Sequence, residues 1–203
     1  MTLTDEDIPQ ALADIVEYMH DHDASSFVDA LREAASAAEF DALEARLGAP
    51  LGSLRLLYGW HDGQELEREP LFEHLFFLPL ETAERMLPSM LYAYLEPPAG
   101  TRAASYHRST QGFTLAELES PRWLPFANCE GDFLAVQLDT GKVARIMKGE
   151  LPWLSVEAPN LATFLGRYAS WLWDGGAVLM GDPSEPGVEL EGMRWLGRYF
   201  GRG

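Results

Sequence analysis

The sequence predicts an α+β domain in which a central, largely antiparallel sheet is flanked by helices. Apolar residues recur at helical spacing through most of the first half, whereas short apolar runs separated by tight turns fill residues 123–156. The chain has 203 residues, of which 47% are hydrophobic, and this is enough to bury a core of ordinary size. We therefore expect one domain with additions at its ends.

Four helices are predicted in the first half of the chain. Their boundaries rest on residues that typically start or stop helices, namely Thr4, Ser25 or Ser26, Ser36, Gly48, Pro50 and Gly63. Acidic residues after Thr4 favour the positive end of the first helix dipole, and Ser36 with Glu39 makes a capping box for the third helix.

The middle of the chain predicts a buried strand, a helix and an irregular connection. Residues 71–80 are short, apolar and bounded by prolines, which favours a strand with His74 as a core histidine. Residues 86–95 fit the helical period, and Pro88 marks either a kink or a new start. Residues 97–120 show no sustained period, so we expect an irregular connection there.

The second half predicts an antiparallel meander covered by a helix. The expected strands are residues 123–128, 133–138, 143–147 and 153–156. Tight turns at residues 129–131 and 140–141 separate the first three strands. Asn160 caps a helix whose apolar face is wide enough to cover the sheet, and a Gly/Pro loop at residues 181–187 precedes a short helix near residues 193–200.

The net charge of −17 is concentrated in the first half of the chain. Residues 1–96 carry 20 acidic and 5 basic side chains (net −15), whereas residues 97–203 carry 12 and 10 (net −2). Such a surface repels phosphate backbones, so we expect no nucleic-acid binding, and it attracts basic partners. Two interpretations stay open, namely a charge-matched binding face and acidic helices that serve solubility.

The cysteine content and the apolar segments predict a cytoplasmic protein. The single cysteine, Cys129, excludes an intramolecular disulfide framework, and the start of the chain has no charged and apolar regions of an export signal. The longest apolar stretch, residues 161–180, contains Arg167, Asp174 and the pair Gly175 and Gly176. It predicts a core helix followed by a break, and no membrane insertion.

The sequence lacks the common catalytic signatures. It contains no G-x-S-x-G, no phosphate-binding loop ending in Lys-Ser or Lys-Thr, no G-x-G-x-x-G and no H-E-x-x-H. Cys129 lies beside Glu130, and a carboxylate neighbour raises the pKa of a thiol and so lowers its reactivity. We therefore expect no enzyme activity and no cofactor.

Histidine and tryptophan positions give further candidates for sites. The run at residues 20–23, His-Asp-His-Asp, could ligate a metal but better fits a solvated turn, so no metal is expected. Trp60, His61 and Asp62 predict either a polar site with an aromatic wall or a helix end with Tyr58 in the core. Trp171 and Trp173 cannot both face inward from one helix, so one of them is a candidate contact surface.

Two segments together resemble the SUKH superfamily, the group that includes fungal Smi/Knr-type cell-wall regulators. The first is residues 39–64, EFDALEARLGAPLGSLRLLYGWHDGQ, and the second is residues 123–146, WLPFANCEGDFLAVQLDTGKVARI. The helix at residues 160–174 also lies where that family has its covering helix. The resemblance divides the chain into an N-terminal helical extension (1–35), a SUKH-like domain (36–175) and a C-terminal tail with a short helix (176–203).

This resemblance implies a protein-binding role without known catalysis. Bacterial members are mostly regarded as immunity proteins that neutralise polymorphic toxins, often nucleases, and fungal members as regulatory scaffolds. The implied partner is another protein, basic in charge, either a toxin nuclease or a regulated client. The partner-binding residues expected from the matching motifs and the acidic loop beside them are Trp60, His61, Asp62, Glu65, Glu67, Trp123, Asn128, Glu130 and Asp132.

One enzymatic alternative stays open from the sequence. A catalytic or metal site built from His61, Asp62, Asn128 and Asp132 would require these four side chains to converge in one cleft.

Overall fold

A computed structural model describes residues 3–65, 70–91, 110–147 and 153–174. A short 3-10 helix, Asp5–Asp7, comes first. The α-helices are α1 (Ile8–Asp21), α2 (Ser25–Asp29), α3 (Ala37–Leu47), α4 (Leu54–Trp60), α5 (Leu80–Met90), α6 (Leu115–Glu119) and α7 (Leu161–Trp173). The strands are β1 (Phe76–Phe77), β2 (Thr110–Gln111), β3 (Trp123–Cys129), β4 (Asp132–Gln137), β5 (Val143–Met147) and β6 (Trp153–Ala158).

The strands form one sheet in the order β1-β3-β4-β5-β6-β2. The first five strands in this order pair antiparallel, and β2 adds a short parallel edge beside β6. The turn between β3 and β4 has positive φ at both central residues, Glu130 (49°) and Gly131 (104°), which suits the twist of a tight hairpin. The predicted α+β fold with a largely antiparallel sheet is confirmed.

The sheet lies between two layers of helices. Alternate residues along β3 and β4, such as Phe126 and Leu134, face the larger core with α1 and α7, whereas Trp123 and Phe133 face a smaller core with α5 and α6. This alternation follows from the two-residue period of a strand. The sheet is therefore covered on both sides.

The helices of the first half agree closely with the prediction. Ser36 accepts a hydrogen bond from the Glu39 amide and closes the predicted capping box, and Gly48 ends α3 in the left-handed conformation (φ 62°). Pro50 does not begin α4, which starts at Leu54, although Leu51 and Tyr58 are buried as expected. The preceding residues instead form a turn that brings Leu51 onto the core.

Two predictions for the middle of the chain were wrong. The strand expected at residues 71–80 is limited to Phe76–Phe77, because Phe72 and Leu75 exchange backbone hydrogen bonds across a tight turn. Within the connection expected at residues 97–120, Thr114 and Glu117 form a capping box that starts α6. Residues 92–109 lie outside the described residues, as do the predicted C-terminal loop and short helix.

The helix that covers the sheet is confirmed. The Asn160 side chain accepts a hydrogen bond from the Thr163 amide (2.8 Å), and Phe164, Leu165 and Tyr168 are buried against the sheet. Among the described residues, no helix combines the length and apolar character that crossing a membrane requires.

Glu117 makes the fold sensitive to acid. Burial opposes ionisation of this carboxyl, but hydrogen bonds from Lys142 (2.7 Å) and Thr114 (2.6 Å) outweigh it and lower the Glu117 pKa to about 2. Because this folded-state pKa lies below that of the unfolded chain, Glu117 stabilises the fold above pH of about 4.5, and this stabilisation disappears as the pH falls towards 2.

We expect Glu117→Gln to lower the free energy of unfolding more at pH 7 than at pH 3. Urea denaturation at both pH values would measure the difference. The exposed neighbour Glu119, replaced by Gln, is the matched control and should show the same small effect at both pH values. If Glu117→Gln lowered the free energy of unfolding by the same amount at both pH values, the low pKa of Glu117 would be contradicted.

Candidate functional site

Seven of the nine predicted partner-binding residues fall into two separate groups. The first group is Trp60, the last residue of α4, with His61, Asp62 and Glu65, which follow that helix. The second group is Asn128, Glu130 and Asp132, which surround the turn between β3 and β4.

The first group lies on a ribbon of two paired segments. Residues 62–65 run antiparallel to residues 30–33, with Leu31 opposite Gln64. Hydrogen bonds join Arg32 N to Gly63 O (3.0 Å), Asp62 N to Glu33 O (3.0 Å) and Glu65 N to Ala30 O (2.9 Å). We call residues 30–33 and 62–65 the ribbon. It fixes the backbone of the first group against the N-terminal helices.

Asp62 positions α5 as well as contributing charge. Its Oδ1 accepts a hydrogen bond from the amide of Leu80 (2.7 Å), the first residue of α5, and its Oδ2 lies 3.7 Å from the Arg32 guanidinium. A carboxylate at a helix N-terminus satisfies a free amide and complements the helix dipole. One oxygen of Asp62 therefore caps α5, and the other forms an ion pair with Arg32.

Trp60 and His61 form the aromatic side of this group. Their rings meet edge to face at 4.5 Å, and His61 Nδ1 donates to the carbonyl of Arg32 (2.6 Å). Tyr58 is fully buried, so the helix end with a core tyrosine is observed, and the polar site with an aromatic wall stays a prediction. The His61 ring is held in one orientation by these contacts.

Gly63 and Gln64 close the sheet edge, and these roles were not predicted from the sequence. Gln64 is buried, and its side-chain Oε1 accepts hydrogen bonds from the backbone amides of Leu71 (3.0 Å) and Phe77 (2.8 Å). The backbone N–H of Gln64 donates to Phe77 O (2.9 Å). Gly63 lies against the backbone of Leu78 and Pro79. A polar amide after a glycine was the available signal, but its partners lie in a different segment.

A charged groove of about 340 Å³ lies between α3 and α5, next to the ribbon. Its apolar floor includes Leu43 and Leu80. Four carboxylates and two guanidinium groups surround that floor: Glu39, Asp62, Glu81, Glu84, Arg32 and Arg46. At neutral pH these six groups sum to a charge of −2.

An ion pair fixes the width of the groove. Arg46 Nε and Nη2 donate to both oxygens of Glu84 (2.6 and 2.8 Å), and these hydrogen bonds lower the pKa of Glu84. The pair joins α3 to α5 in a bidentate geometry, the stronger form of such a contact. Apart from Asp62, the groove was not predicted from the sequence, because the two residues of its ion pair lie 38 positions apart in the chain.

The second group surrounds the β3–β4 hairpin turn. Asn128 Nδ2 donates to the backbone carbonyl of Asp132 (2.9 Å), and Asp132 Oδ2 lies 3.6 Å from His74 Nε2. Glu130 is exposed at the tip. Burial, followed by the charges of Glu130 and Asp132, raises the pKa of Cys129, as the sequence predicted for an unreactive thiol.

Two of the singled-out residues, Trp123 and His74, differ from their predicted surroundings. Trp123 is fully buried and its indole N–H donates to the carbonyl of Glu117 (3.1 Å), so its side chain cannot line a surface in this fold. His74 is half-buried beside Asp132 instead of lying in a core strand. Glu67 lies outside the described residues.

The two groups do not form one cleft. Asn128 pairs with Phe76, whereas Asp62 contacts Leu80, four residues further along a mostly extended segment and thus roughly 13 Å away. His61, Asp62, Asn128 and Asp132 therefore do not converge, which removes the observation that the enzymatic alternative required. Across the part of the chain that the structure describes, no three His, Cys, Asp or Glu side chains are grouped to hold a metal ion.

The polar run at residues 20–23 forms local contacts. His20 Nδ1 lies 3.0 Å from Ser25 Oγ, and His22 Nδ1 donates to the carbonyl of Tyr18 (2.9 Å) where α1 ends.

Comparison with known proteins gives one family match. The family model described as SMI1 / KNR4 family (SUKH-1) matches residues 34–167. The match includes α3 to α6, the whole sheet and both groups of predicted residues, and it leaves α1, α2 and the last residues of α7 outside. A comparison with curated proteins found no match.

Proposed function

Because the chain belongs to the SMI1 / KNR4 family (SUKH-1), we propose that it is a non-enzymatic protein-binding domain of the toxin-immunity type. In this proposal it acts in the cytoplasm and neutralises a basic, nuclease-type toxin by masking the surface with which the toxin binds nucleic acid.

The observation that carries the proposal is the placement of negative charge. Of the net charge of −17, the first 96 residues carry −15. Exposed carboxylates follow one another from the residues before α1 through α1, α2, the ribbon and α3. They are Asp5, Glu6, Glu17, Asp21, Asp23, Asp29, Glu33, Glu65, Glu39 and Asp41. A nuclease presents a basic surface to phosphate groups, and a complementary acidic surface can occupy it.

The ribbon and the adjoining groove form the proposed binding face. Trp60 and His61 provide aromatic surface held in fixed orientation, Glu65 and Glu67 provide charge, and Asp62 and Arg32 mark where the ribbon meets the groove. A preorganised aromatic surface costs little conformational entropy on binding. Asn128, Glu130 and Asp132 form a second proposed contact at the hairpin tip.

A regulatory interaction module of the Smi/Knr type is the second candidate. It is favoured by the pairing of several carboxylates with the protein's own arginines. Arg55 pairs with Asp41 and Glu44, and Arg46 pairs with Glu84. A surface that neutralises part of its own charge leaves less for one strongly basic partner and fits weaker, less selective contacts.

An affinity pull-down from the native lysate, at low and then high salt, separates the two candidates. A single basic protein, recovered in stoichiometric amount, released by salt and inhibited by this chain in a nuclease assay, supports the immunity function. Recovery of many weakly bound proteins supports the regulatory module, and recovery of none contradicts both.

Charge reversal in the acidic loop tests the binding face. We expect replacement of Glu65, Glu67 and Glu69 by Lys to slow association with the recovered basic protein about tenfold at low ionic strength, because steering depends on long-range charge. Surface plasmon resonance across a salt series would show the difference shrinking as salt screens the charges. Reversal at Glu119, exposed on α6, is the control. An unchanged association rate in the triple variant would exclude the loop.

A further inference from the structure

An aromatic cluster joins the end of α7 to α1. Trp173, the last residue of α7, packs edge to face against Tyr18 (ring centroids 5.5 Å apart) and His22 (6.0 Å), and the rings of Tyr18 and His22 stack at 4.0 Å. Tyr18 is buried, yet 45% of Trp173 remains exposed. The indole is therefore a large aromatic surface held at the exterior by its neighbours.

The exposed part of this indole offers a ring face and not a hydrogen-bond donor. Trp173 Nε1 donates to the backbone carbonyl of Asp14 (3.2 Å), which uses the indole N–H and fixes the ring against α1. A partner contacting Trp173 would therefore meet its π surface. The fixed orientation means that little side-chain entropy is lost on binding.

The surroundings of the cluster are acidic. Residues 3–31 contain eight Asp and Glu side chains and no Lys or Arg. Asp14, Tyr18 and Asp21 share one face of α1, because residues three, four or seven apart lie on the same side of a helix. Asp174 directly follows Trp173. A guanidinium group matches such a surface, since it stacks on aromatic rings and carries a positive charge.

We propose that the exposed face of Trp173, with Asp14, Asp21 and Asp174 beside it, is an anchor for an arginine side chain of a basic protein partner. The existence of that partner rests on the proposed function, and the anchor specifies a point of contact outside the ribbon. The family match ends at residue 167 and begins at residue 34, so this anchor belongs to additions to the family domain. Such additions can distinguish the partner of this chain from those of its relatives.

Labelled hexa-arginine and hexa-lysine peptides test the anchor on the full chain. We expect fluorescence anisotropy at low salt to show tighter binding of hexa-arginine, by about fivefold. Trp173→Leu keeps an apolar side chain without the π face, and it should weaken hexa-arginine binding to the level of hexa-lysine. Leu56→Ala is the matched control, because Leu56 is another half-exposed apolar side chain (42%) on α4, and it should leave the arginine preference unchanged.

The outcomes separate the anchor from the proposed function. An arginine preference that persists in Trp173→Leu, or one absent from the wild type, overturns the anchor. The anchor is also overturned if the wild type forms a concentration-dependent dimer that the Trp173→Leu substitution dissociates, because a second copy of the chain would then cover Trp173. Should Trp173→Leu fail to fold, Trp173→Phe, which keeps an aromatic face, must retain part of the preference. Unchanged affinity of Trp173→Leu for the basic protein from the pull-down would overturn the anchor and leave the proposed function standing.

Discussion

Replacing Gly63 with alanine is expected to lower the free energy of unfolding by about 3–5 kcal/mol, which is a large part of the stability of an ordinary domain. Gly63 has a φ of 72°, and a Cβ at this position would lie 2.3 Å from Pro79 N and 2.5 Å from the Leu78 carbonyl carbon. Both obstacles are backbone atoms, so no side-chain rotation can relieve the overlap. The ribbon would have to move away from the segment that leads into α5.

Gly52→Ala separates the overlap from the cost of the backbone conformation. Gly52 also has a positive φ (55°), but a Cβ there would meet nothing within 4 Å. Gly52→Ala should therefore lower the free energy of unfolding by only about 1 kcal/mol, the cost of the left-handed conformation for an alanine. Urea denaturation of both variants measures the difference. Equal losses in the two variants would show that the close approach of Gly63 to Pro79 has no energetic weight.

The movement of the ribbon in Gly63→Ala should also weaken the partner binding that the ribbon is proposed to provide. Gly63 lies between Asp62, which caps α5, and Gln64, which completes the hydrogen bonding of β1. If the proposed binding face is correct, any Gly63→Ala protein that remains folded should bind the basic partner more weakly than Gly52→Ala does.

The fold was predictable where local chemistry decides it. The capping box at Ser36 and Glu39, the left-handed stop at Gly48 and the glycine turns of the meander each act within a few residues. The segment at residues 71–80 failed because its uniform apolar character fits a strand or a buried turn equally well. The turn is accompanied by long-range contacts, such as the ion pair of Glu73 with Arg145 and the hydrogen bond that Tyr168 Oη donates to Leu71 O, and a single sequence does not show them.

The candidate site was predictable to the extent that it is contiguous. Trp60, His61 and Asp62 occupy neighbouring positions, so their pattern is visible in the sequence. The groove is assembled from the ribbon, α3 and α5, and only tertiary packing brings Arg46 onto Glu84. Trp123 was misplaced because a tryptophan fits a buried strand as well as a binding surface, and here its indole N–H is satisfied inside the core.

The second large effect on stability is expected at a buried ion cluster beneath α7. Arg145 on β5 is only 7% exposed and donates to Glu73 Oε1 (2.8 Å), and its Nε lies 3.3 Å from Glu157 Oε1. The other carboxylate oxygens, Glu73 Oε2 and Glu157 Oε2, are buried and have no hydrogen-bond partner within the part of the chain that the structure describes. Burial raises the pKa of Glu157, and the charge of Arg145 opposes that rise. Two buried carboxylates thus depend on one guanidinium group.

We expect Arg145→Met to lower the free energy of unfolding by about 3–5 kcal/mol at neutral pH, because it leaves two carboxylates buried without a countercharge. Methionine fills similar space, so the loss reports charge rather than a cavity. Without Arg145 the folded-state pKa of Glu157 rises further above its unfolded value. Protonation then stabilises the folded variant at low pH, and this stabilisation is lost as the pH rises through the folded-state pKa. The deficit relative to wild type should be larger at pH 8 than at pH 5.

Restoring neutrality distinguishes charge from packing as the cause. The triple variant Arg145→Met, Glu73→Gln and Glu157→Gln carries no charge at the cluster, and it should recover most of the stability that Arg145→Met loses, with little remaining pH dependence. Arg122→Met removes a comparable ion pair at the surface, where Arg122 Nη1 lies 2.9 Å from Asp139 Oδ1 with both side chains exposed, and it should remain close to wild type. If the triple variant were as unstable as Arg145→Met, the unpaired charge of the two carboxylates would not be the cause of the loss, and the cluster would have no role in the response to pH.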